Sequence, residues 1–284
     1  MSPAAPRVSV CIPAYNGEEF IEEAIRSVLG QSFGDFDLVV IDDGSMDGTV
    51  DVARGFSDPR IRIIVNPRNL GQGENWNKAL DEARGEYFKL LPQDDFLYPD
   101  CLRRQIEVFD DAANSGVALV CGARNIVDRK GRVLMKRSFG RKRGRVDGRR
   151  AVRDCVRAGT NLIGEPGAVL IRTDFARKVG RFDDANFYVL DLDFWSRGLL
   201  VGDLDIIPEV LAAFRVAAGS ASVRIARSQS RDFRSFIEKL GKDDRFGIRA
   251  YDRVIGKARS FANMALRRMI YRSAGRGSRT SDPS

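Results

Sequence analysis

The sequence predicts an α/β fold: a Rossmann-like, doubly wound, mostly parallel sheet with helices on both faces. Two observations carry that prediction. Through the first hundred residues, short apolar runs alternate with stretches of helical spacing, the pattern of parallel strands joined by crossover helices. Three polar signatures, Pro13-Ala14-Tyr15-Asn16, Asp42-Asp43-Gly44-Ser45 and Gln93-Asp94-Asp95, close three of those runs. All three therefore fall at the carboxyl ends of strands, where open α/β sheets bind ligands.

Val8-Ser9-Val10-Cys11-Ile12 is the first apolar run and breaks at Pro13. Residues 18–29 have helical spacing, with Phe20, Ile21, Ala24, Ile25, Val28 and Leu29 on one face. A second buried strand over 36–41 stops at Asp42, and a helix is expected from Gly48 or Thr49 to about Phe56. Residues 61–65 read as a third strand, 75–83 as a helix and 87–91 as a fourth strand. In the second half, 117–121, 125–128 and 132–135 read as short strands, with Lys130-Gly131 as a hairpin turn. A helix follows over 147–158. Gly164-Glu165-Pro166-Gly167 leads into a strand over 168–171, and a helix begins at Asp174. Residues 191–200 are helical, with Leu192, Trp195 and Leu199 on one side, and 211–216 form a last strand.

After Ser222 the character changes. Residues 223–284 hold 16 Lys and Arg against 6 Asp and Glu, so they carry more than the whole net charge of +8. Ile248, Tyr251, Ile255, Ala258, Ala262, Ala265 and Met269 recur at alternating spacings of 3 and 4, widened by Val254, Phe261 and Leu266. Arg249, Arg253, Lys257, Arg267 and Arg268 fall mainly off that stripe, which makes a basic amphipathic helix. The alternative is a helix whose stripe packs on its own domain or on a partner chain. Residues 273–284 read as disordered. The expected organisation is a domain over 1–222, divided at about residue 100 into halves that a family resemblance given below makes nucleotide-binding and acceptor, and a C-terminal basic helical extension over 223–284.

Composition excludes several chemistries. The chain has no histidine, which removes Ser-His-Asp catalysis and His-ligated zinc. Cys11, Cys101, Cys121 and Cys155 show no metal-ligand spacing and read as reduced thiols. No apolar run is long enough to span a bilayer and no signal-peptide core is present. The expected location is cytoplasmic, peripheral at the inner face of the plasma membrane. A second basic cluster, residues 136–153, has nine basic residues opposed only by Asp147. It suits an anionic acceptor such as a lipid diphosphate, or is a solvated loop and helix face. Binding of nucleic acid is disfavoured, because neither basic region has interleaved aromatics or a recognition module.

Asp94-Asp95 is the sharpest chemical signal. Two adjacent carboxylates at a strand end repel each other unless a cation or hydrogen-bond donors stand nearby. Their hard oxygens suit Mg²⁺ or Mn²⁺, which take few protein carboxylates and complete their shell with phosphates. The alternative is a turn in which Asp94 caps the next helix.

Taken in order, Val8-Ser9-Val10-Cys11-Ile12-Pro13-Ala14-Tyr15-Asn16, Val40-Ile41-Asp42-Asp43-Gly44-Ser45-Met46-Asp47, Asn69-Leu70-Gly71, Gly85-Glu86-Tyr87, Asp94-Asp95 and Leu190-Asp191-Leu192-Asp193-Phe194-Trp195 resemble the family 2 glycosyltransferases. The resemblance spans about residues 8–222 and implies the GT-A fold. It implies an inverting, metal-dependent hexosyltransferase that uses a nucleotide-diphosphate sugar, a UDP-sugar, on a glycan or lipid-linked acceptor in cell-envelope polysaccharide synthesis. The donor would be bound by Pro13, Tyr15, Asn16, Asp42, Asp43, Asn69, Gly71 and Asp94. Within that set Tyr15 faces the base, Asp43 accepts the uracil N–H and Asp94 contacts the ribose. Asp95 would hold Mn²⁺ or Mg²⁺, and Asp191 would be the base. Two departures stand out. Gln93 occupies the place of the leading acid of the usual Asp-x-Asp, and Ala217 stands where many relatives carry a histidine. A catalytically inactive GT-A binding subunit is the alternative within the same fold.

Overall fold

A computed structural model describes residues 5–216 and 229–276. The expected alternation is present. Strands β1 (Val8–Ala14), β2 (Phe36–Asp42), β3 (Ile61–Val65) and β4 (Tyr87–Leu90) are joined by helices α1 (Ile21–Leu29), α2 (Thr49–Arg54) and α3 (Gln72–Glu82). They pair in parallel in the order β3-β2-β1-β4. Period-two alternation sends Val10, Ile12, Leu38 and Val40 to one face of the sheet and Cys11, Val39 and Ile41 to the other. Both faces of β1, β2 and β4 are covered, so these strands are largely apolar, whereas β3 at the edge of the sheet stays partly exposed.

Beyond β4 the sheet becomes mixed. A two-residue strand β5 (Phe96–Leu97) and helix α4 (Cys101–Asp110) precede β6 (Val117–Val127). Then come β7 (Val133–Arg137), β8 (Gly144–Val146), helix α5 (Gly148–Ala158), β9 (Val169–Arg172), α6 (Thr173–Val179), α7 (Leu190–Gly198) and β10 (Asp203–Arg215). β9 runs antiparallel between β4 and β6, whereas β10 is parallel to β6. The "mostly parallel" expectation thus holds for β1–β4 and for the β6–β10 pair but not for the seam between them.

Three expectations need correction. The two short strands expected over 117–121 and 125–128 are one strand, β6, whose residue 122 is a glycine: a side chain there would strike Leu211 of β10. The last strand begins at Asp203 rather than Leu211, because register shifts between Ile207 and Ala212 let Pro208 and Glu209 bulge outward without ending the strand. Asp94 caps no helix: β5 follows it, and α4 starts after Asp100.

Helix α8 (Gln229–Gly241) buries Phe233, Phe236, Ile237 and Leu240 in the same core cluster as Phe194 and Trp195. Helix α9 (Ala250–Arg276) follows and packs on α5 and α8. Its packed face is the small and polar one, Asp252, Gly256 and Ser260, so the apolar stripe expected to decide its packing points away from the body. Ile248 precedes the helix and packs against the core. The disorder expected from residue 273 does not hold over 273–276, which form the end of α9; the side chains of Leu266 and Met269, and residues 277–284, lie outside the described residues.

Candidate active site

The strand-end loops are stitched into one surface. The Tyr15 N–H donates to Gln93 Oε1 at 2.7 Å, and Gln93 Nε2 donates back to the Tyr15 carbonyl at 3.0 Å. An ionised acid only accepts and could not make that donor-and-acceptor clamp, which gives Gln93 a structural reason to stand in the place of an acid. Asn16 adopts a left-handed conformation (φ 46°), its N–H reaches Ser45 Oγ at 2.9 Å and its Oδ1 accepts from the Met46 N–H at 2.9 Å. Asn tolerates this backbone region because its side chain bonds locally. Pro13 is buried on β1, while the Tyr15 ring stands exposed at the rim.

The two aspartates at the end of β2 are fully engaged. Asp42 accepts from the N–H groups of Gly44 (3.1 Å) and Ser45 (2.9 Å) and from the Ser45 hydroxyl. Asp43 accepts from Asn66 Nδ2 (2.8 Å) and the N–H of Leu70 (2.9 Å) on Oδ1, and from the N–H of Gly71 (2.9 Å) on Oδ2. Gly71 is required here by its φ of 89°. Asn69 lies exposed on the same loop.

The aspartates at the end of β4 are different. Asp95 is buried, and one oxygen accepts the Arg215 N–H at 2.9 Å. Among the described residues no side-chain donor reaches either carboxylate. Burial raises the Asp95 carboxyl well above its ordinary range and the neighbouring Asp94 adds to the rise; burial raises Asp94 as well, with Arg215 partly offsetting it. Arg215 is itself spent elsewhere, on the carbonyls of Asp94, Asp128 and Arg129 and on Glu23. This donor set fits a divalent cation: two hard carboxylates that no side chain pairs with directly and that Arg215 offsets only in part, with no third protein ligand grouped beside them among the described residues. The remaining shell would come from diphosphate and water. Ala217 lies outside the described residues.

Asp191 sits in the first turn of α7. Its Oδ2 accepts from Asn161 Nδ2 at 3.0 Å and its Oδ1 from the Leu192 N–H at 2.7 Å. Burial pushes this carboxyl up to about 7, and the charge of Glu165 adds to the rise. Glu165 is buried too, but Arg124 and then Arg137 outweigh that and hold it at about 2. The Arg124 Nε–Glu165 Oε2 distance is 2.5 Å, and Arg124 also grips the carbonyls of Leu162 and Asn161. One carboxylate is thus fixed ionised beside another held near neutrality, the separation of roles expected of acid–base sites. By contrast Asp193, two residues on, is tied to Arg197 (3.0 Å) and Lys239 (2.7 Å) and fastens α8 to α7.

The sequence reading missed Arg124, Asn161 and the role of Glu165. A single arginine inside an apolar strand was the available signal; its partner lies 41 residues away. The basic cluster over 136–153 is partly consumed by structure: Arg137 faces Glu165, Lys142 pairs with Asp154 and Arg145 with Asp203. Arg141, Arg143, Arg149 and Arg150 are exposed.

Comparison with known proteins bears on the family and the fold. A putative teichuronic acid biosynthesis glycosyltransferase of Bacillus subtilis is 38% identical over 104 residues, covering 36% of this chain and 41% of that one. An uncharacterized glycosyltransferase of Rickettsia typhi is 34% identical over 130 residues, 46% of this chain and 40% of the relative, so the chain spans well under half of that protein. An uncharacterized protein of Mycobacterium tuberculosis is 33% identical over 234 residues, 79% of this chain and 72% of that one. Among solved structures, S. aureus TarS 1-349 in complex with UDP-GlcNAc matches with a TM-score of 0.65 at 20% identity, covering 81% of this chain and 64% of that one. The mannosyltransferase PcManGT from Pyrobaculum calidifontis, in complex with GDP-Man and Mn²⁺, matches with a TM-score of 0.61 at 17% identity over 98% of this chain and 77% of that one. At those identities the structures speak for the fold. The model of Glycosyl transferase family 2 matches residues 9–180, and the chain belongs to that family.

Proposed function

We propose that the protein is an inverting, metal-dependent glycosyltransferase that moves a hexosyl group from a UDP-sugar to a hydroxyl of a glycan or lipid-linked acceptor. The setting we infer is cell-envelope polysaccharide synthesis at an anionic membrane surface, to which the basic C-terminal region holds the enzyme. The observation that carries the reading is Asp191, a half-buried carboxyl brought to about 7 and oriented by Asn161. A base must be within reach of its proton and matched to the working pH, and Asp191 has the second property and a fixed orientation for the first. Support for UDP comes from the ligand of TarS, and for an envelope polymer from the described role of the Bacillus relative.

In this reading the Tyr15 ring covers the nucleobase. The remaining acceptor capacity of Asp43 Oδ2, which takes only the Gly71 N–H, receives the uracil N–H. Pro13, Asn16, Asp42, Asn69 and Gly71 set the backbone of the donor loops, and Asp94 contacts the ribose. Asp95 would hold a divalent ion, which when bound would supply positive charge to the diphosphate leaving group. Asp191 takes the proton of the acceptor hydroxyl. As that oxygen bonds to the anomeric carbon, the carbon–oxygen bond to the diphosphate breaks and UDP leaves from the opposite face. Arg124 and Glu165 hold Asn161 and the electrostatics of the base in place.

The test is nucleotide release measured across UDP- and GDP-sugars, with Mn²⁺ or chelator and a lipid-linked acceptor. Release from a UDP-sugar, lost with chelator, is the expected result. Thermal stabilisation by UDP and Mn²⁺ without release from any donor would instead favour the inactive binding subunit.

A further inference from the structure

Helix α9 is docked the wrong way round for a helix whose apolar face belongs to its own core. Tyr251 (47% exposed), Val254 (68%), Ile255 (39%) and Phe261 (62%) face outward, together with Ala258 and Ala262. These six recur at spacings of 3 and 4 and form one continuous stripe. The opposite face is specifically seated. A side chain on Gly256 would collide with the Val156 carbonyl of α5, and one on Gly159, the left-handed residue ending α5 (φ 65°), would collide with Ser260 N. Asp252 is fully buried against Arg157, and Asn263 Nδ2 donates to the carbonyls of Ala158 (2.9 Å) and Gly159 (3.2 Å). The rotation of the helix is therefore fixed by close glycine contacts and buried polar bonds, which leaves the apolar stripe turned outward; Tyr251, at its start, meets the Arg157 guanidinium, which lies over its ring and donates to its hydroxyl.

Charge says what covers it. Exposed Arg249 and Arg259 flank the stripe, and residues 223–284 hold 16 basic against 6 acidic residues. Glu238 neutralises part of this by pairing with Arg253 and Lys257. A second copy would bring the same cations against themselves, whereas anionic lipid attracts them. At 27 residues α9 is about 40 Å long. No helix among the described residues is apolar enough to cross a membrane. An amphipathic helix of this kind lies in the plane of the interface.

We propose that the outward stripe of α9 inserts into an anionic lipid surface and so fixes the acceptor side of the site against the membrane. The connection is short: Gly159 seats α9, and Asn161, two residues on, holds Asp191. The inference rests on the membrane setting of the proposed function and names the face that meets the lipid; its test needs neither donor nor acceptor, so membrane contact and sugar transfer fail separately.

The experiment is co-sedimentation of the full chain with phosphatidylcholine vesicles with and without phosphatidylglycerol, alongside its mass in solution. Wild type should sediment with anionic vesicles, less at high salt. Val254→Asp with Phe261→Asp should weaken binding by at least about tenfold, from lost apolar burial alone, with an unchanged melting temperature. Val254→Ser with Phe261→Ser serves as the milder pair should the acidic one lower the melting temperature, and should weaken binding in the same direction. Equal sedimentation of a folded variant and wild type would overturn the proposal. So would absence of wild-type binding, or a wild-type dimer that the substitutions turn into monomer, since the stripe would then be a contact between copies.

Discussion

Two sets of aspartates stand at the carboxyl edge of the same sheet, and their surroundings are opposite. At the end of β2, Asp42 and Asp43 each accept three hydrogen bonds, chiefly from backbone N–H groups of their own and the neighbouring loop. At the end of β4, Asp95 accepts the Arg215 N–H and no side-chain donor among the described residues reaches Asp94 or Asp95; at the start of α7, Asp191 takes one donor on each oxygen, and burial pushes all three upward. A carboxylate surrounded by donors builds the loop that carries it. One that is buried and short of them is poised for a cation or a proton, which makes it the better candidate for chemistry. The adjacent Asp-Asp pairs are nearly identical as sequence; the donors around them separate their roles.

The comparison breaks most sharply at Asp191. Asp191→Asn should leave UDP affinity nearly intact and lower the transfer rate by about 10²–10⁴, the usual worth of a general base. Transfer at wild-type rates would move the proton to the acceptor itself, since Asp193 is committed to Arg197 and Lys239. The same variant has a stability signature. The native carboxyl keeps its proton up to about 7, whereas an unfolded aspartate loses it near about 4. Over that interval the native state binds more protons, so stability falls as pH rises, and Asp191→Asn should flatten that slope in denaturant melts at pH 4.5 and 8.

The next effect contrasts the two pairs directly. Asp43→Asn turns an oxygen that faces N–H donors into a competing donor and should cost about 1–3 kcal/mol of folding stability. Asp95→Asn removes a carboxylate that burial disfavours and should leave the melting temperature unchanged or higher. The smallest effect belongs to Glu165→Gln. Loss of that negative charge lets Asp191 ionise more easily, so the rising acid limb of the rate profile should move to lower pH than its wild-type position near 7. A limb that does not move would mean that Glu165 only braces Arg124.

What the sequence made legible was local. Strand period, turn residues and the polar signatures that follow Ile12, Ile41 and Leu91 depend on neighbours a few residues away, and they placed β1–β4 and the three loops. The rest depended on distant partners. Arg124 and Glu165 meet across 41 residues, and nothing in either neighbourhood announces the other. Helix α4 carries Leu102, Ile106 and Phe109 at helical spacing, yet it lies between Asp-rich loops and went unassigned. Pro208 masked the first half of β10, since an outward bulge is indistinguishable from a strand end in sequence alone. Helix α9 inverted a general rule: the apolar stripe signals a helix correctly but not its packed face, because a close crossing at Gly159 selects Gly256 and Ser260 instead.

The central claim is that the donor-poor pair at the end of β4 is a metal and diphosphate site. The most direct measurement is thermal melting of wild type and Asp95→Asn, each alone, with UDP, with Mn²⁺ and with both. Wild type should be stabilised only by UDP and Mn²⁺ together, and Asp95→Asn should melt no lower than wild type when alone yet gain nothing from the pair. Equal stabilisation of the two proteins by UDP and Mn²⁺ would remove Asp95 from the site and contradict the account.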